Sequence, residues 1–255
     1  MRHDIPLLEF DHSRTALIEP SNVLKQIDIP DRCVLCFFQD VLQHVMLEHR
    51  GIRVVTKLGS ELGHNPVYEL NVNGQRVAVV HPGVGAPLGA AILEELIALG
   101  CRQFIACGGA GALNSDLTLG HVVIPQSAVR DEGTSYHYLP PSREVSASPD
   151  AIAAIERVLS RHNVPFLVGK TWTTDAIYRE TPAKIALRRA EGCLTVEMEA
   201  AAFFAVSQFR DVQFGQLLYS GDDLSGETWD HRGWQTYGSA RDQLFWLAVE
   251  ASLEI

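Results

Sequence analysis

Val196-Glu197-Met198-Glu199-Ala200-Ala201-Ala202-Phe203-Phe204 is the stretch on which the reading of this chain turns. An apolar run starting at Cys193 passes into an Ala-rich, Phe-containing run, so a strand is predicted to feed a helix, and two carboxylates flank a methionine at the junction. Leu194, Val196 and Phe203 around them predict burial. A buried charge is costly unless it is paired or hydrogen-bonded. Either the acids cap the helix and meet the positive end of its dipole, or they bind a polyhydroxylated ligand such as a ribose.

The same strand-helix alternation extends in both directions. Upstream, periodicity predicts a helix at Pro149–His162, a strand at Phe166–Lys170, a helix at Pro182–Glu191 and a strand at Cys193–Val196. Downstream come a strand at Val212–Tyr219, a loop at Ser220–Gly233 and a helix over Ala240–Ala251. Nearer the N-terminus, Val72–Pro82 reads as a strand with a turn at Asn73-Gly74, and Leu88, Ala91, Ile92, Leu96 and Leu99 share one face of a helix starting near Pro87. Gln103–Cys107 and His121–Pro125 read as strands, Val34–Phe38 as a strand and Val41–Glu48 as a helix. This order is that of an α/β protein. No repeat, low-complexity tract or Pro/Ser-rich linker interrupts it, so one domain over 1–255 is expected.

Composition narrows the function. The chain has 255 residues, 46% hydrophobic and 20% charged, enough for a large core. A formal net charge of -10 argues against nucleic-acid or anionic-membrane binding. The count of five cysteines is odd, and the N-terminal stretch carries Asp4 and Glu9 without a long apolar run, so a cytoplasmic, reduced protein is expected. No second CxxC completes Cys33-x-x-Cys36, which reads as buried small apolar residues. The ten histidines form no HExxH or similar pair, so no metal is expected. A GxSxG elbow is also missing.

Two glycine clusters sit at predicted strand ends, where α/β sheets bind ligands. Gly83-Val84-Gly85-Ala86-Pro87-Leu88-Gly89 imitates a dinucleotide fingerprint but puts Leu88 where the third glycine belongs, which discounts a nicotinamide cofactor. Gly169-Lys170-Thr171 resembles the end of a P-loop, with Val164 where the first glycine should stand. Gly108–Gly111 reads either as a plain turn or as a row of amides pointed at an anion. Ser220-Gly221-Asp222-Asp223 offers two acids after the last strand.

Together these segments resemble the nucleoside phosphorylase superfamily, which holds uridine and purine nucleoside phosphorylases and the methylthioadenosine nucleosidases. Gly83–Pro87 with the helix to Gly100 is similar to the family's glycine turn and first crossover helix, Ile105–Leu113 to its phosphate-site strand, and Val129–Ser135 to a segment of the uridine enzymes. Thr174–Tyr178 resembles the base-site segment, and Glu197-Met198-Glu199 the ribose signature. The resemblance implies a single α/β domain whose central twisted mixed sheet is partly barrel-like and flanked by helices, and a homo-oligomer, a dimer or a hexamer.

It also implies roles. Cleaving a ribosyl N-glycosidic bond builds positive charge on the sugar and negative charge on the leaving base, so a site needs an anionic sugar clamp and a proton donor at the base. Glu199, with Met198 and Glu197, would hold the ribose hydroxyls. Asp222 would protonate the base, with Arg232 orienting it. Ile177, Tyr178 and Asp175 would flank the base, and Gly85, Gly108, Gly109, Ala110 and Asp40 the nucleophile. The co-substrate would be phosphate, with no bound cofactor, and a purine-type base is favoured over uracil because Thr181 and Ala183 replace the glutamine and arginine of the uridine enzymes.

Two departures keep alternatives open. Ala106 stands where phosphorolytic members place an arginine, and Cys36–Asp40 replaces a turn that carries another, which leaves Arg14, Arg53 or Arg130 as unassigned cations. A nucleosidase using water activated by Asp40, or a nucleoside-binding protein without turnover, fits the same pattern. Trp229 and Trp234 either close a lid or pack onto the body.

Overall fold

The computed structural model describes residues 2–48, 52–234 and 238–255. In chain order its elements are α1 (Pro20–Val23), β1 (Arg32–Cys36), α2 (Gln39–Glu48), β2 (Arg53–Ser60), β3 (Gly63–Val72), β4 (Gln75–Val80), α3 (Ala86–Leu99), β5 (Gln103–Ala112), β6 (Val122–Asp131) and β7 (Glu144–Ser146). They continue with α4 (Pro149–Arg161), β8 (Phe166–Thr174), α5 (Pro182–Ala190), β9 (Cys193–Glu197), α6 (Ala200–Arg210), β10 (Gln213–Asp223) and α7 (Gly238–Ser252).

The strands form one mixed sheet in the order β10-β6-β8-β9-β5-β1-β4-β3-β2, and β10 pairs again with β5. That second pairing closes β10, β6, β8, β9 and β5 into a ring, with β1, β4, β3 and β2 running off it as a wing. The partly barrel-like mixed sheet implied by the family resemblance is therefore the architecture of the chain. Strand β5 makes the closure possible. Its first half, Gln103–Cys107, pairs in parallel with β1. Beyond the end of β1, Gly111 and Ala112 pair antiparallel with β9 instead. A gap opens in the sheet where one neighbour leaves and the other arrives.

Two apolar layers hold the sheet. On one side α3 and α6 bring Leu93, Leu96, Phe203 and Phe204 onto Phe104 and Phe214, with Phe203 stacked on Phe214 at 4.9 Å between ring centroids. On the other, α2, α4 and α7 bring Val41, Ile155, Leu244 and Phe245 onto Val34, Ile105 and Leu217. Full burial of each such side chain stabilises by about 1.5 to 3 kcal/mol. Cys33 and Cys36 fall in different layers, so they face opposite sides of β1 and act as the small apolar residues expected of them.

Several strands outrun their sequence-based bounds. The Gly108–Gly111 segment is neither a turn nor a free loop: it is the second half of β5, registered against Leu218, Tyr219 and Ser220 of β10. Ser220–Asp223, read as loop, likewise extends β10. Glycine suits that half of β5 because neighbours press onto its backbone; a β-carbon at Gly111 would lie 2.5 Å from Leu224 Cδ1 and one at Gly108 3.0 Å from Phe37 Cδ2. The hairpin pair β2 and β3 has no counterpart in the sequence reading. Its partner turn at Asn73-Gly74 is as expected, with both residues at positive φ, as a tight two-residue hairpin requires.

Candidate active site

A cavity of about 630 Å³ opens at the gap beyond the end of β1. Its walls come from the stretch after β1 and the start of α2 (Phe37–Asp40), the glycine half of β5, the β9-to-α6 junction (Val196–Glu199) and β10 (Gln216, Gly221, Asp222).

At the β9 junction the two acids divide the roles between which the sequence left a choice. Glu197 turns inward and caps α6: its Oε2 accepts the amides of Glu199 at 2.7 Å and Ala200 at 2.6 Å, while Oε1 accepts the Thr173 hydroxyl at 2.6 Å. Glu199 leaves the helix start and reaches across to α3, where its Oε1 accepts the Gly85 amide at 2.5 Å. Both carboxyls are over nine-tenths buried and both line the cavity. Burial, opposed by the donors around it, raises the Glu197 carboxyl. Burial first, and then the nearby Glu197 charge, push Glu199 up to about 8. Glu197 has three donors and Glu199 fewer, so burial is less offset at Glu199.

At the β10 end Asp222 lines the cavity, and its Oδ2 accepts the Trp229 indole N–H at 2.6 Å. Arg232 is paired with Asp223 and also donates to the Leu117 carbonyl at 2.7 Å, so it holds the neighbouring acid rather than Asp222. Burial acts to raise Asp223, but Ser225 and Arg232 outweigh it and keep that carboxyl below its ordinary value. Glu180 also lines the cavity, and burial followed by the charge of Asp222 pushes it up to about 7.

The other anticipated residues divide between cavity and surroundings. Met198, Gly108, Gly109, Ala110, Asp40 and Ile177 line it. Tyr178 is 95% exposed and lies outside the lining, as does Asp175, whose carboxylate accepts the Gly133 amide at 2.8 Å. The Gly85 amide is taken by Glu199, and Gly85 lies outside the cavity lining, so it is not placed where the sequence expectation put it. Its φ of +92° explains the glycine. Of the three unassigned arginines, Arg14 pairs with Asp211, Arg53 with Glu69, and Arg130 is bonded to Ser135, Ser142 and the carbonyls of Leu139 and Pro140. None of the three lines the cavity. Trp234 does line it, and its backbone carbonyl accepts the Tyr219 hydroxyl at 3.0 Å.

Residues 31–243 match the Phosphorylase superfamily. The chain belongs to that superfamily. Among relatives, a guanosine phosphorylase of Halorubrum lacusprofundi is 31% identical over 153 residues, which is 59% of this chain and 63% of that protein. A uridine phosphorylase structure from Vibrio fischeri superposes with a TM-score of 0.76 at 21% identity, covering 91% of this chain and 95% of that one. An AMP nucleosidase structure from Bacteroides thetaiotaomicron superposes at 0.71 and 23% identity, covering 90% of each.

For a Phosphorylase superfamily chain, three polar cavity residues escaped the sequence reading. Glu180 sits just past the base-site segment, but an acid before a Thr-Pro helix start reads as a capping feature. Gln216 is the one amide in the apolar run Phe214–Tyr219, a signal that was present and unused. Arg241 reaches the cavity only because α7 folds back across β1 and β5, and no local pattern announces that.

Proposed function

We propose that this chain cleaves the N-glycosidic bond of a purine-type ribonucleoside with phosphate as acceptor, giving free base and ribose 1-phosphate. The observation that carries this reading is that Glu199 and Asp222 line one cavity whose wall includes the Gly108–Gly111 backbone. Glu199, beside Met198, would hold the ribose 2′ and 3′ hydroxyls, and those hydrogen bonds strengthen as the ring gains positive charge. The bond from C1′ to the base nitrogen breaks with its electron pair going to the base, which Asp222 protonates. A phosphate oxygen forms the new bond at C1′. Trp229, rather than Arg232, fixes the Asp222 carboxyl, and Ile177 forms the wall against the base. Cleavage by phosphate accords with the guanosine phosphorylase relative, and Thr181 and Ala183 at the uracil-reading places favour a purine.

Hydrolysis is a second reading, favoured by one contact. Asp40 is ion-paired to Arg241 at 2.5 Å on the cavity edge, a placement suited to a carboxylate that activates water. Incubation with a panel of nucleosides, with and without phosphate, separates the two. Phosphate-dependent release of base supports the first reading, and release of free ribose without phosphate sinks it. Stabilisation by nucleosides with no product leaves binding alone. The chain is expected to act in the cytoplasm as a homo-oligomer, and the exposed Val84 and Ile177 at the cavity mouth suit cover by a second copy.

A further inference from the structure

Gln216 has no explanation as a core residue. It is 1% exposed on β10, between Phe214 and Leu218 on the same face of the strand, and its Oε1 has no hydrogen-bond partner among the described residues. Buried amides are nearly always satisfied, and an unsatisfied one is costly. This one lines the cavity. Its place in the sheet is informative, because Gln216 is in register with Ala106 of the parallel neighbour β5. Side chains in register on parallel strands point to the same side, so the amide occupies the room left by a residue with only a methyl group.

Arg241 reaches the same cavity from α7. Its guanidinium lies 4.7 Å from the centroid of the Phe38 ring and bonds Asp40 through Nη2 at 2.5 Å. The arginine side chain is 11% exposed, whereas that of Asp40 is 55% exposed. An arriving anion therefore meets a fixed cation and a carboxylate able to turn to solvent. An amide rotated about its last bond presents N–H in place of C=O, so Gln216 can donate to an oxyanion.

We propose that Gln216 and Arg241 together grip the phosphate nucleophile, supplying from β10 and α7 the donors that β5 lacks at Ala106. The proposal rests on the phosphorolytic reading above. A charged donor is the stronger of the two contacts, so Arg241 sets most of the affinity and Gln216 fixes the orientation of the bound oxygens.

Steady-state kinetics with inorganic phosphate and a cleaved nucleoside, together with calorimetric titration of phosphate, test this on Gln216→Leu, Gln216→Met and Arg241→Met. The expected result is a rise of about tenfold or more in phosphate KM and Kd, with nucleoside KM within about twofold of the parent. The leucine and methionine variants replace an unpartnered amide by apolar groups of similar size, so at least one is expected to fold, as circular dichroism will show. Phosphate-dependent turnover with phosphate KM and Kd unchanged in every folded variant overturns this proposal alone. A parent protein that binds no phosphate and cleaves without it overturns the proposal and the phosphorolytic reading together.

Discussion

The Glu199 carboxylate accepts the backbone N–H of Gly85 at 2.5 Å, a bond between the start of α6 and the start of α3 that spans 114 residues of sequence. This contact aims the side chain and depends on backbone that only glycine adopts easily, at φ of +92°. The Glu197-Met198-Glu199 segment and the glycine turn are therefore one device: the turn presents an amide, and the amide fixes the acid.

Glu199→Gln keeps an acceptor for Gly85 and removes the charge, so it isolates the electrostatic part of sugar binding. Turnover is expected to fall by about 10² or more, with the loss in kcat rather than in nucleoside KM, because the interaction grows as the sugar becomes cationic. Single-turnover rates on a cleaved nucleoside provide the check, and a rate within threefold of the parent refutes the clamp.

Asp222→Asn retains the bond from Trp229 but cannot give a proton to the base. Cleavage of purine nucleosides is expected to drop by about 10² to 10⁴, the usual range for loss of a general acid. A substrate with a leaving group that needs no proton, such as a nitrophenyl riboside, should be spared. Equal loss on both substrates would assign Asp222 to structure instead.

The sequence carried the strand-helix order and the place of the acid pair, because apolar periodicity and an unusual polar pair in apolar surroundings are local signals. It did not carry the ring closure, since the second partner of β5 depends on where β1 stops, which no residue pattern marks. The Gly108–Gly111 segment misled for the same reason. Glycines there relieve contact with Phe37 and Leu224, both distant in sequence, and the result resembles a turn. Arg232 was matched to the wrong one of two adjacent aspartates, because the β10 ladder is irregular between Ser220 and Asp223 and simple alternation does not tell which acid meets Arg232.

Glu180 lines the cavity with Asp222, and burial followed by the Asp222 charge pushes its carboxyl up to about 7, so it changes from donor to acceptor near neutral pH. Below about 7 the neutral acid can donate to a ring nitrogen of the base; above it the carboxylate accepts a ring N–H. Nucleoside KM is therefore expected to vary with pH between 6 and 8, rising with pH for a base that offers an acceptor and falling for one that offers N–H. Glu180→Gln should flatten the profile. A parent profile already flat over that interval, measured with both kinds of base, counts against any contact between Glu180 and the base.

The pair Glu197 and Glu199 also makes the stability of the fold sensitive to pH. Glu199 is raised from an ordinary value of 4.5 to about 8 by burial and by the Glu197 charge. Between those values the unfolded chain gives up this proton while the folded chain keeps it. The folded state then binds more protons, so its stability falls as pH rises from about 4.5 and levels off above about 8. Burial of this acid thus costs the folded state about 2 kcal/mol of stability at pH 8, once the full shift is discounted for relaxation of the site. Glu199→Gln removes the titration. Its melting temperature should exceed that of the parent by about 4 to 8 °C at pH 8 and by less at pH 5. Differential scanning calorimetry at the two pH values decides the matter: an offset that is constant, or larger at pH 5, would show that the folded protein does not hold the proton on this pair.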